Sequence, residues 1–410
     1  MNVTSPSTTG TPGAPNDRID SSQGSAPTVF DRLGVAAVIN ASGIYTDLGG
    51  SRLSPGIWSD LTQLNEYFVR IPALLDKTGA SIAGLLGVEA ARITPGASAA
   101  IALAVGACMT GESGPRWEQL PDTTGLRNEV VMAHNQVSPY KYAVCVRSPG
   151  AKIVAAGDAG GTSEAQLRAS INEKTAAVFI PAHLEGYQGT VTLADAVKVA
   201  HASGIPVIVD AAYMNFPPEI MRSYTLAGAD LVCFSAKYYA GPNAGGFVAG
   251  RADLIRSVTG LDFTRFESGK YRSFGRPFKM GRYEIAATWL ALEAWFTTDH
   301  DARLQGYHQL AVQLQRSLGV LPGISSQLLC FTLDERLERS PVNCVALNFA
   351  DGTPLEAADL AAALSAGSPS IDAVVLDGKL LLVTELLEPK DLSLIAARVR
   401  KAVAPSVPTP

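Results

Sequence analysis

Short apolar runs alternate with longer amphipathic stretches along most of the chain, and that alternation predicts the architecture. VIVDAA (207–212) and LVCFSAK (231–237) are β-branched or aromatic runs of strand length. Between them, EIMRSYTLAGAD (219–230) has the length of a helix and a glycine near its end. AAVFIPAH (176–183) comes earlier and is followed by TLADAVKVAHASG, where Leu193, Val197, Val199 and Ala200 make an apolar face. Strand–helix–strand repetition implies parallel strands covered by helices, an α/β fold. GGFVAG (245–250) follows LVCFSAK after a short turn, too short for a parallel crossover, so this strand should run antiparallel.

After about residue 285 the character changes. IAATWLALEAWF (285–296) reads as a long helix, and CVALNFA and AVVLDGKLLLVTELL point to a small C-terminal α+β domain. The expected division is a disordered N-terminal tail (1–28), an N-terminal arm with the large domain (29–285), a linking helix with the small domain (286–404) and a frayed end (405–410). The tail is rich in Ser, Thr, Pro and Gly and lacks the basic and apolar regions of a signal peptide.

Composition narrows the function classes. The chain has 410 residues, 47 % hydrophobic and 17 % charged, enough for a substantial core. Its net charge of −5 argues against sequence-independent nucleic-acid binding. Five scattered cysteines, with no C-x-x-C pair, fit a reducing compartment and no zinc site. The most apolar stretch, ASAAIALAVGACM (97–109), is too short to span a bilayer, and a cytoplasmic protein is expected. The five histidines lack ligand spacing and read as structural or solvated.

The chemistry gathers around Lys237, which ends an apolar strand before a glycine-rich turn. Asp210 ends the preceding strand, and ligands of open α/β sheets bind beyond the carboxyl ends of strands. ITPGASAAIALAVG (93–106) is a turn, with Gly96, Ala97 and Ser98, that opens a helix whose free N–H groups suit a phosphate. Ser235, two residues before Lys237, lies on the same side of the strand. A cofactor with a phosphate, a ring nitrogen to be kept protonated and an aldehyde for an amine would use all of these groups; that cofactor is pyridoxal 5'-phosphate.

At this point the chain resembles a known family: the fold-type I pyridoxal-phosphate enzymes grouped with selenocysteine synthase and D-glucosaminate-6-phosphate ammonia-lyase-like proteins, in the aspartate aminotransferase superfamily. The resemblance rests on VINASGIYTDLGGSRLSP, ITPGASAAIALA, LPDTTGLRNEVV, PVIVDAA, ADLVCFSAKYYAGPNAGG and FGRPFKMGRYEI, in that order. It implies a large domain with a mostly parallel, seven-stranded-type sheet, and a homodimer or higher oligomer with sites at subunit interfaces. It implies Lys237 as the Schiff-base lysine, Asp210 as the pyridinium partner, and Gly96, Ala97, Ser98 and Ser235 around the phosphate. Asn40, Tyr45, Thr46 and Arg52 would line the substrate entrance. Arg276, Lys279 and Arg282 would contact an anionic ligand or a neighbouring subunit's cofactor phosphate. In HNQVSPYKY, either His134 or Gln136 would stack on the ring; Tyr238 and Tyr239 would pack on the ring or support the interface.

Departures from the family matter too. Ser235-Ala236-Lys237 stands where Gly-Gly-Lys or Gly-Asp-Lys is usual, Asn243 where glutamine is, and Lys141 follows Tyr140 where relatives have Tyr-Asp. Between Pro341 and Ala397 there is no arginine. Fold-type I enzymes commonly hold a substrate carboxylate with one from this region, so this chain must grip differently. The expected activity is at the Cα of a small amino-acid substrate, through an external aldimine and a quinonoid. It ends either in ammonia-releasing elimination or in reaction with dioxygen, as in nucleoside-antibiotic pathways. Selenocysteine synthesis on tRNA is opposed by the acidic balance, and a non-catalytic binding role by intact Lys237 and Asp210.

Overall fold

The computed structural model describes residues 28–187 and 189–404; the expected tails fall almost entirely outside them. A first strand, β1 (Val38–Ala41), precedes seven strands of a large sheet. These are β2 (Ala90–Thr94), β3 (Glu129–Ala133), β4 (Lys152–Ala156), β5 (Thr175–Pro181), β6 (Val207–Asp210), β7 (Leu231–Ser235) and β8 (Gly246–Gly250). Their order is β2-β8-β7-β6-β5-β3-β4, parallel except for β8, which runs antiparallel to both neighbours as its short connection requires. Helices cover both faces, so β5, β6, β7 and β8 are buried at every residue and read as near-continuous apolar runs. The alternation is visible inside them. Val207 and Val209 join the core on one face, and Ile208 joins the core under helix Ala97–Thr110 on the other.

The small sheet contains β9 (Ile324–Phe331), β10 (Leu337–Glu338), β11 (Cys344–Phe349), β12 (Ser370–Leu376) and β13 (Lys379–Val383), in the order β1-β12-β13-β11-β9-β10. Here the packing differs from the expected division. β1, assigned from the sequence to the large domain, pairs in parallel with β12 at the edge of the small sheet. Helix Arg282–Thr297, expected as the link, buries Ile285, Ala291, Leu292 and Trp295 in the large-domain core; helix His300–Leu318 is the first to enter the small one. Periodicity marks a helix's apolar face without saying which core receives it, and a strand's partner hundreds of residues away leaves no local signal. Among the described residues no helix is long and apolar enough to cross a membrane, and no cluster of three or more metal-ligating side chains occurs.

Candidate active site

Parallel neighbours end side by side, so β6 and β7 bring Asp210 and Lys237 to one edge of the large sheet. Asp210 is 3 % exposed. The Tyr140 hydroxyl donates to its Oδ2 at 2.7 Å and the Ala212 N–H to its Oδ1 at 3.1 Å. Burial pushes its carboxyl above the usual range, against the pull of those two hydrogen bonds. Among the described residues no cationic side chain hydrogen-bonds to it, and a buried carboxylate without one is costly. It suits a partner that brings a proton on a ring nitrogen.

Lys237 lies in the turn Ala236–Tyr239 that follows β7 and is 8 % exposed. Its Nζ donates to Thr46 Oγ1 at 2.5 Å and sits 4.8 Å from the centre of the Tyr238 ring. Burial lowers its pKa below that of an ordinary lysine; the charge of Lys141 adds to this, and Asp47 opposes it. Such an amine is a competent nucleophile and base. The arm holding Thr46 is fastened to the lysine turn: Asn243 Nδ2 donates to Thr46 O at 3.0 Å, and Ser51 Oγ to Gly241 O at 2.9 Å. Gly50 (φ +79°) passes so close that a Cβ there would stand 3.0 Å from Lys237 Cβ.

The candidate phosphate site is built around Gly246, which pairs with Thr94 on one side and Ser235 on the other. Helix Ala97–Thr110 starts just beyond Thr94, and no side chain caps its first N–H groups. A Cβ on Gly246 would stand 2.5 Å from Phe234 O and 2.8 Å from Gly96 Cα, so only glycine lets these segments meet. The Ser98 side chain is exposed at the helix start and bonds Cys145. Buried carboxyl, softened amine and uncapped helix start therefore fit pyridoxal phosphate.

Other expected residues separate into two groups. Tyr45 and Thr46 line a cleft of about 480 Å³ with Lys237. Asn40 instead ties its own turn, accepting from Ser42 N–H and Gly43 N–H and donating to Gly43 O at 2.8 Å. Arg52 pairs with Glu388 at 2.5 Å, and Arg276 with Glu267 at 2.7 Å. Lys279 is exposed, and Arg282 bonds Asn65 and Tyr283. None of these five lines the cleft in this chain. His134 and Gln136 do not line it either. β3 turns at its end into the short helix His134–Val137, leaving His134 exposed while the buried Gln136 amide donates to Leu184 O at 3.0 Å.

The cleft has other occupants instead: His183, Tyr213, Tyr142, Lys141 and the β9–β10 hairpin tip. The His183 ring packs 5.4 Å from Tyr213, and burial lowers its pKa. It lies just past the carboxyl end of β5, so the strand-end rule that marks Asp210 marks it too. The hairpin tip crosses the mouth. Tyr213 donates to Asp334 at 2.5 Å and Tyr45 to Glu335 at 3.2 Å; burial and Glu335 push the Tyr45 hydroxyl up to about 12.

Fold and site together define a pyridoxal-phosphate enzyme of fold type I. The aminotransferase class-V family profile matches residues 133–367, and the chain belongs to that family. It is 34 % identical to a D-glucosaminate-6-phosphate ammonia lyase of Salmonella typhimurium over 286 residues, 68 % of this chain and 74 % of that one. It is 27 % identical to a 5'-C-glycyluridine monooxygenase-decarboxylase of a Streptomyces species over 379 residues, 91 % of this chain and 90 % of that one. A solved structure of D-glucosaminate-6-phosphate ammonia-lyase superposes with a TM-score of 0.79 at 28 % identity, covering 92 % of this chain and 99 % of the other.

Proposed function

We propose that the enzyme acts at the Cα of an amino acid with a neutral, hydroxylated side chain, of the kind found in 5'-C-glycyluridine, and that dioxygen takes part in a decarboxylating oxidation. The carrying observation is the composition of the cleft: Asp47, Asp334, Glu335 and Glu385 line it together with Tyr45, Tyr142, Tyr187, Tyr213 and Tyr238. Carboxylates accept hydrogen bonds from sugar hydroxyls, and tyrosine faces suit a planar base. The same carboxylates repel a phosphate, which counts against a phosphorylated sugar acid. The match to the monooxygenase-decarboxylase along 91 % of this chain supports the oxidative outcome.

When bound, pyridoxal phosphate supplies an aldehyde that captures amines and a protonated ring that accepts carbanion electrons. The Gly96–Ser98 helix start and Ser235 would hold its phosphate, Asp210 its ring nitrogen and Lys237 its aldehyde end. Lys237 Nζ, its proton affinity lowered by burial, takes the substrate's Cα proton. Tyr140 orients Asp210, and the hairpin tip with the Tyr45 arm shields the cleft from water. The test is oxygen uptake and carbon dioxide release by the holoenzyme given 5'-C-glycyluridine, beside ammonia release from D-glucosaminate 6-phosphate. Oxygen-dependent turnover of the former is expected; oxygen-independent ammonia release from the latter would contradict the reading.

A second copy of the chain is proposed to cover a groove of about 490 Å³ lined by Leu53, Trp58, Leu61, Pro242 and Tyr283. Trp58 is 59 % exposed and nearby Phe68 96 %. Arg282 Nε and Glu284 Oε2 are buried there without a hydrogen-bond partner among the described residues. In such a dimer Arg282 lies at the contact, which accounts for its distance from its own cleft. Sedimentation should show a dimer; a monomer would refute this.

A further inference from the structure

An amino-acid substrate brings an α-carboxylate into the cleft, and a carboxylate removed from water needs a cation or several donors. Strands β11, β12 and β13 of the small sheet contain no arginine. Apart from Lys237, the cationic side chains lining the cleft are Lys141 and Arg336. Neither makes an ion pair among the described residues. Both are exposed, Arg336 on the hairpin tip. Lys141 lies in the loop between the short helix His134–Val137 and helix Ala143–Arg147, with its Nζ 5.3 Å from the centre of the Tyr142 ring, itself part of the lining. Lys141 lines the same cleft as Lys237 and His183, and its charge is felt at both.

We propose that Lys141, set against the Tyr142 ring in the cleft lining, receives the substrate's α-carboxylate. An ammonium is a compact point charge on a flexible stem and holds a carboxylate without fixing its plane. This grip is looser than a bidentate guanidinium and leaves the carboxylate free to turn relative to the rest of the substrate.

The proposal rests on the reading of the chain as an enzyme of amino-acid substrates, and its test is independent of oxygen and of the side chain. The probes are L-serine and ethanolamine, which differ by the carboxylate, titrated into holoenzyme and followed by the change in its visible absorbance. Wild type should bind L-serine at least about tenfold more tightly than ethanolamine, as expected for one charge-assisted contact. Lys141→Gln should lose that preference while ethanolamine binding stays unchanged, and Lys141→Arg should restore it. No preference in the wild type, a preference intact in Lys141→Gln, or a preference lost only in Arg336→Gln would overturn the assignment. The oxygen and ammonia measurements fail separately, since they ask what becomes of the substrate rather than how its carboxylate is held.

Discussion

Asp210 and Lys237, the floor of the site, are buried at the ends of adjacent parallel strands, whereas Asp334 and Glu335, at the mouth of the cleft, are exposed on a hairpin tip and held by two tyrosine hydroxyls. The floor is over-determined. Strand register, burial, a hydrogen bond from Tyr140 to Asp210 and one from Lys237 to Thr46 fix these side chains. The mouth is assembled from segments far apart in sequence, the Tyr45–Glu335 bond alone spanning 290 positions, and Glu335 takes a left-handed φ of +58°. Chemistry is common to a family and needs the rigid part; substrate choice varies and is placed on the part that can change without disturbing the sheet.

If that division is right, effects should shrink from floor to mouth. Lys237→Ala should lower turnover on the order of 10³-fold, since one side chain serves as attachment point and base; this is read from initial rates with cofactor in excess. Asp210→Asn should lower activity by about tenfold to a hundredfold, the worth of a charge-assisted contact. It should also act on the cofactor-free protein. The folded-state pKa of Asp210 is raised, so its contribution to stability is present at low pH and is lost as pH rises from about 4 through the raised value. The cofactor-free D210N variant should therefore melt above wild type near neutral pH, with the gap closing toward about pH 4, as thermal scans would show.

Gly246→Ala should weaken retention of pyridoxal phosphate and destabilise the fold by about 1–3 kcal/mol, because the added methyl would press on Gly96 and Phe234. Measured cofactor affinity that equals wild type would remove the phosphate site from that place. At the mouth, Asp334→Asn with Glu335→Gln should raise KM for a hydroxylated substrate about tenfold or less and leave kcat near wild type. A fall in kcat as large as that of Asp210→Asn would erase the distinction between floor and mouth.

The same distinction explains what could be read from the sequence. The strands ending in Asp210 and just before Lys237 announce themselves as apolar runs, and the rule that ligands sit at strand ends supplies the rest. The antiparallel β8 followed from a connection too short to cross over. Either His134 or Gln136 was expected on the ring; the short helix after β3 leaves His134 exposed and Gln136 bonded to Leu184, and neither lines the cleft, whereas His183, at the end of a strand already recognised, does. Arg52 was expected at the substrate entrance and Arg276 at an anionic ligand or a neighbouring subunit's cofactor phosphate; within this chain they pair with Glu388 and Glu267, and a cation in a motif does not declare such partners. The place of β1 in the small sheet, beside β12, is a long-range pairing that no local pattern encodes.

The most direct measurement is the site of covalent attachment. The holoenzyme is reduced with borohydride, digested and analysed by peptide mass spectrometry. The account predicts a phosphopyridoxyl group on Lys237 and on no other residue. Its appearance on Lys141, the other lysine of the cleft, or the absence of any modified peptide, would contradict the placement of the cofactor at the ends of β6 and β7.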